Sequence, residues 1–125
     1  MDWSKIYIVI AASMGALDVL LGAFGAHKLK SFLLEANRLD TFETAVKYQM
    51  YHVLALLVVG ILLPTVPTKL MMWSGVSFIV GMVLFSGSLY LLCFTTWRWL
   101  GPITPLGGLF LIAGWLMLAI SFFNK

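Results

Sequence analysis

This sequence predicts an all-α fold: a bundle of four membrane-spanning helices, with a short amphipathic interfacial helix between spans one and two. Three observations carry that expectation. Of the 125 residues, 62% are hydrophobic and 10% charged, and the mean hydropathy is +1.01; a soluble domain carries about 25% charged residues. Four stretches are long and apolar enough to cross a hydrocarbon core about 30 Å thick. The connection between the first two repeats apolar residues at helical spacing, with charges between them. Together they exclude an ordinary soluble enzyme, a disordered chain and a nucleic-acid binder. One cysteine rules out a disulfide framework and a cysteine-cluster metal site. A net charge of +3 is too modest for nucleic acid and suits anionic lipid head groups.

Span one covers residues 6–26. It is too long for a secretory signal, contains Asp18, and is followed by no convincing cleavage site. In the connection, Leu29, Phe32, Leu33, Ala36 and Leu39 alternate with Lys28, Lys30, Glu35 and Arg38, the pattern of a helix lying in the interface. A solvated loop with scattered leucines is the competing reading. Asp40 with Glu43 reads as a capping box that starts the second helix near Thr41, ahead of its buried portion at residues 45–63. Pro64 and Pro67 bracket the next turn, and span three follows at residues 70–94. Thr104 and Pro105 read as an N-cap and first helical residue for span four, residues 105–123. Trp3, Trp73, Trp97 and Trp99 fall near boundaries, as interfacial aromatics do. Unbroken apolar runs in lipid must be helices, because no backbone polar group can go unpaired. Nothing marks a second domain within residues 1–125. Lys28, Lys30, Arg38, Lys47 and Arg98 outnumber Lys5, Lys69 and Lys125 by five to three, a margin too small to fix the orientation of the bundle in the membrane.

Small residues mark helix contacts in lipid, where hydrophobicity cannot drive helices together. Ala11, Gly15, Asp18, Gly22 and Ala26 form one stripe on span one, and Ala45, Tyr48, His52 and Ala55 one on span two. Ser74, Ser77, Gly81 and Ser88 align on span three; Gly107, Leu111, Gly114 and Ser121 align on span four. Gly15, Gly22, Gly81, Gly107 and Gly114 are the expected close-packing positions. Counted from the shared membrane side, Asp18 and Ser86 lie about 12 Å deep and His52 about 10 Å. Tyr48, Gln49, Ser88 and Tyr90 are shallower on that side, where Thr104 opens span four. The opposite half reads as almost wholly apolar. A buried aspartate costs about 2.5–3.5 kcal/mol to insert unless it is neutral or partnered. The expectation is therefore an Asp18–His52 pair, within a polar pocket of Asp18, His52, Tyr48, Ser86, Ser88, Tyr90 and His27. Lys28, Lys30, Arg38 and Lys47 would contact head groups.

Four phrases occur in order: Leu21-Gly22-Ala23-Phe24-Gly25-Ala26-His27, Tyr48-Gln49-Met50-Tyr51-His52, Leu84-Phe85-Ser86-Gly87-Ser88-Leu89-Tyr90 and Ile103-Thr104-Pro105-Leu106-Gly107-Gly108. In them the chain resembles the domain-of-unknown-function 423 family of small bacterial membrane proteins, which has mitochondrial relatives. The resemblance covers nearly the whole chain. It implies a multi-pass protein of a bacterial plasma membrane, with no established activity, cofactor or catalytic residue. Asp18 is not among the residues that carry it.

The chemistry divides into four readings. His27 and His52 could ligate metal or haem, but a regular helix sets His27 about 180° from Asp18, and no third ligand accompanies the isolated Cys93. Neither cofactor nor metal is expected. Ser86 or Ser88 with His52 lacks an oxyanion site and an orienting group, so no enzyme is expected. Transport is the main alternative: four short spans with one early carboxylate are similar in plan to small multidrug-resistance exporters. Proton exchange at Asp18 would then drive a homo-oligomer. The leading expectation is a non-enzymatic module that binds a lipid head group, small ligand or partner helix in one leaflet half. Membrane lipids are its expected partners.

Overall fold

The computed structural model describes residues 2–123. Lys125, counted above among the basic residues, lies outside them. Four helices are long and apolar enough to span a membrane, and among the described residues there is no strand.

Helix α1 runs Trp3–Ala26, and the Asp2 carboxylate accepts from Lys5 N at 3.3 Å to cap it. The short helix between the first two spans is real: α2, Lys30–Glu35. It buries Leu33 completely, while Phe32 and Leu34 stay about half exposed. Asn37 ends it at φ 56°, a left-handed conformation that asparagine tolerates. Arg38 N then reaches Leu33 O at 2.8 Å and Asn37 N reaches Leu34 O at 3.1 Å. This nested pair of bonds closes the helix and delivers Arg38 directly to the start of the next one.

Helix α3 is Leu39–Leu62, with Arg38 as its N-cap and no side-chain cap bond. The expected Asp40–Glu43 capping box does not form, because the α2 closure starts the helix two residues before Thr41. Asp40 sits instead in the first turn, where a negative charge still favours the helix dipole. Helix α4, Lys69–Phe94, is capped by the Thr68 hydroxyl, which accepts from Met71 N at 3.1 Å. After a 3₁₀ turn at Arg98–Leu100, α5 runs Ile103–Ile120 with Pro102 as N-cap. Thr104 is therefore no cap and Pro105 is not the first residue of the helix. Leu100 is buried and Pro102 already has helical angles, so the helix starts early. The missing Pro105 N–H still falls within the first turn, where donors have no partner in the helix. At the far end, Ser121 ends the helix and donates to Met117 O at 2.7 Å.

The helices make backbone contact in the order α1, α3, α4, α5. Helices α3 and α4 are accordingly the central pair. The core joins Tyr7 and Ala11 to Val53, Leu56 and Val59, and then to Met71, Phe78, Met82 and Leu111. A smaller cluster of Leu33, Phe42 and Cys93 fastens α2 over the end of the bundle.

Both expected stripes on the last two spans are buried along their whole length. At Gly107 a Cβ would come within 2.8 Å of Leu84 C and Phe85 Cα, so α4 and α5 meet backbone to backbone. Gly81 faces Leu111, and Gly114 lies under the Phe78 ring. The α1 stripe is only partly as expected. Ala11 and Asp18 are buried, Gly15 and Gly22 are half-buried against Val53 and Val46, and Ala26 is exposed. Gly25 takes the place of Ala26 beneath the ring of Phe42. On α3 the stripe holds at Ala45, His52 and Ala55, but Tyr48 is 40% exposed, and Gln49 is buried in its stead.

Candidate functional site

Gln49 is the centre of the polar layer. Its amide donates from Nε2 to Met14 O on α1 at 2.9 Å, and its Oε1 accepts from the Tyr90 hydroxyl on α4 at 2.7 Å. One side chain thus ties three helices at a place where water cannot compete for its bonds. Ser86 donates to Ala45 O at 2.8 Å, joining α4 to α3, and Ser88 shares a short hydrogen bond with Thr104 on α5.

The expected Asp18–His52 pair does not form. Trp115 donates its indole N–H to His52 Nε2 at 3.0 Å. Indole can only donate, so Nε2 is the acceptor and the ring proton sits on Nδ1, 2.6 Å from Tyr48 O in the same helix. The imidazole is thereby a neutral, fixed tautomer with both nitrogens occupied. Register and rotation explain the difference. Gly15 lies against Val53 and Gly22 against Val46, which sets Asp18 level with the turn that contains Gln49. His52 lies three residues farther along α3, rotated by about 60° from Gln49, and turns toward Phe78 and Trp115. Depth counted from Ala45 matched the two residues without fixing either quantity.

Asp18 is left 3% exposed, and its Oδ1 has no hydrogen-bond partner among the described residues. Tyr90 lies within its electrostatic reach but gives its hydroxyl proton to Gln49.

The remaining expected pocket residues divide. Ser86, Ser88 and Tyr90 belong to the interior bonds just described. Tyr48 does not join them: its ring lies 4.7 Å from that of Phe85 on an exposed face. His27 is exposed and ends α1, with its N–H on Phe24 O at 3.3 Å. Among the described residues no three of His, Cys, Asp and Glu gather as a metal site would require. The opposite half of the bundle is more polar than the sequence reading held. There Ser4 donates to Gly60 O at 2.6 Å, Tyr7 to Met72 O at 2.6 Å and Ser74 to Gly114 O at 2.7 Å. Of these, Ser74 was expected only as a small packing residue; each hydroxyl bonds to the backbone of a neighbouring helix and is polar in type yet satisfied.

An open cleft of about 760 Å³ lies where α4 ends and α3 begins, lined among others by Phe32, Ala36, Arg38, Cys93, Trp97 and Arg98. Phe32 stacks on Phe94 with centroids 5.6 Å apart, and Trp97 stacks on Trp99 at 5.7 Å. The cleft has no acidic lining residue. The one ion pair among the described residues is Lys5–Asp2, at the other end of the bundle. Of the expected head-group residues, Arg38 lines the cleft, whereas Lys28, Lys30 and Lys47 are exposed outside it. Arg98, counted earlier only for topology, completes it. Trp115 was also missed, and no signal in span four pointed to its partner.

The model of the family described as "Protein of unknown function (DUF423)" matches residues 21–108. The chain belongs to that family. All four recognised phrases lie inside the matched residues, as do Arg38, Gln49, Tyr90 and Arg98, whereas Asp18 and Trp115 lie outside. The chain is 46% identical to a UPF0382 membrane protein of Staphylococcus haemolyticus, over 96% of this chain and 97% of the relative. It is 41% identical to the UPF0382 membrane protein YwdK of Bacillus subtilis, over 94% of this chain and 95% of that one. A UPF0382 membrane protein of Haemophilus influenzae is also 41% identical, with 95% and 94% covered. No solved structure matches the chain. Like these relatives, it is a membrane protein, with four candidate spans.

Proposed function

We propose that this family member is a non-enzymatic membrane module that binds the polar end of a membrane ligand at the α2 end of the bundle. The cleft between α2, the start of α3 and the end of α4 carries this reading. It is open, it is roomy enough for a head group, and it combines two cations with aromatic walls. The interior polar groups support the reading from behind. Gln49, Ser86, Ser88 and His52 are engaged with one another's helices, so they act as a scaffold and leave binding to the rim. Ala36 lines the cleft at an ordinary helical backbone angle, so a larger side chain there fills space without backbone strain. Ala36→Trp is expected to abolish co-purified lipid, read by native mass spectrometry, with helical circular dichroism unchanged. Full retention of lipid in that variant would refute the reading.

One observation favours a second reading, proton-coupled transport: Asp18 is buried and its Oδ1 has no hydrogen-bond partner among the described residues. A carboxylate in that position without a donor is disfavoured, so Asp18 would hold a proton and release it only when a donor or water arrives. Uptake of a cationic dye into liposomes under a proton gradient, abolished in Asp18→Asn, would support transport. Uptake equal in both proteins would exclude Asp18 as the proton site.

A further inference from the structure

We infer that the cleft selects an anionic lipid, with Arg38 and Arg98 closing on its phosphate from two sides; the inference rests on the head-group reading above and names the ligand class. Three features of the site converge on it. Both arginines line the same cleft, yet neither has an ion-pair partner among the described residues, and no acid lines the space between them. Two like charges lining one cleft repel each other unless an anion is shared between them. Guanidinium groups present a planar fork of donors that matches a phosphate two oxygens at a time, which a lysine ammonium does not.

The placement of each arginine is built into the fold. Arg38 is fixed by the left-handed Asn37 and by its own N–H on Leu33 O, and its carbonyl receives the Cys93 thiol at 3.7 Å. Arg98 opens the 3₁₀ turn that Leu100 anchors in the interior. The Thr96 side chain also lines the cleft with no hydrogen bond among the described residues, which leaves a further donor for a phosphate oxygen. The rest of the wall fits a lipid better than a free anion. Phe32, Leu92 and Phe94 offer an apolar surface for glycerol and acyl carbons, and the half-exposed Trp97 is of the type that settles at head-group depth.

The test titrates detergent-solubilised protein with phosphatidylglycerol and phosphatidylcholine of identical acyl chains, with bound lipid counted by native mass spectrometry. Phosphatidylglycerol is expected to bind about 25-fold more tightly, since each of the two arginines near such a head group contributes roughly a factor of five. In the Arg38→Gln/Arg98→Gln protein that preference should vanish, with phosphatidylglycerol binding falling further than phosphatidylcholine binding. The Arg38→Lys/Arg98→Lys protein should keep only part of it, because the charge remains and the fork is lost. Lys5→Gln/Lys69→Gln, the same loss of charge at the opposite end, should keep all of it.

Equal binding of the two lipids by the parent protein would overturn the inference, as would a preference that survives the double glutamine substitution. An equal loss in the lysine control would also overturn it, by assigning selectivity to net charge. Inorganic phosphate displacing phosphatidylglycerol at comparable concentration would overturn the choice of a lipid over a free anion. Failure here is distinguishable from failure of the broader reading. If Ala36→Trp removes both lipids while the arginine substitutions leave their ratio intact, the head-group module stands and the phosphate clamp falls.

Discussion

The α4–α5 contact and the α1–α3 contact are both helix pairs of a membrane bundle, yet they are built differently. Between α4 and α5 the backbones touch: Gly107 lies on the Leu84–Phe85 backbone, Gly81 faces Leu111, and Ser74 reaches across to Gly114 O. Between α1 and α3 only the middle is spaced by valines, with Val53 and Val46 at 3.3 and 3.4 Å from where a Cβ on Gly15 and Gly22 would stand, whereas nearer the ends Gly25 lies under the Phe42 ring and Gly60 against Ile8 and Ser4 O. Among the described residues, the one interhelical polar bond in the middle of that contact is Gln49 to Met14 O, and beside it sits Asp18, whose Oδ1 has no partner among them. Without a hydrophobic drive in lipid, the first contact gains from close van der Waals approach and satisfied hydroxyls. The second tolerates a polar group with nothing to bond. One contact is a seam along its length, and the other is close toward its ends and more loosely packed at the middle, where Asp18 lies.

The difference can be broken at its strongest point. Gly107→Val should cost about 3 kcal/mol or prevent folding, since a branched side chain would have to occupy the space of the α4 backbone. Reversible unfolding in bicelles measures the loss; a cost below 1 kcal/mol would show that the α4–α5 seam is looser than its geometry. A middling effect is expected at Gln49→Leu, about 1–2 kcal/mol, because Tyr90 and Met14 O both lose a buried partner. Adding Tyr90→Phe should recover part of that loss, by removing the hydroxyl left without an acceptor; independent, additive costs would mean the Gln49–Tyr90 bond carries little. The smallest change is expected at Gly22→Ala, within about 0.5 kcal/mol and with a favourable helix-propensity contribution, since its Cβ would meet Val46 at ordinary contact. A large loss there would place the α1–α3 contact in the same class as the α4–α5 seam.

How far the residues alone could be read depends on what kind of fact each one carries. The stripes Ser74–Ser77–Gly81–Ser88 and Gly107–Leu111–Gly114–Ser121 were legible because helical periodicity decides which side of a rod is small, and that side is buried here throughout. The interfacial helix was legible from amphipathic spacing, though not the Asn37 turn that closes it. Asp18 was legible as buried. Its partner was not, because a stripe states which face turns inward and not which neighbour it meets. Gln49 had the right level and the right face but was counted only as one shallow polar group. Trp115 sits 63 residues from His52, and no local pattern joins them.

From the amino acids by themselves come four apolar rods, their approximate ends and the small faces along which two of them meet, because chain length, hydropathy and the 3.6-residue repeat act locally. Only the folded arrangement decided that His52 belongs to Trp115, that Gln49 and not Asp18 links α1 to α3 and α4, and that Arg38 and Arg98 share one cleft. Those facts depend on the register and rotation of one helix against another. They are settled by side-chain volumes meeting across the interface, at Phe42 over Gly25 or Phe78 over Gly114, and no single helix contains that information.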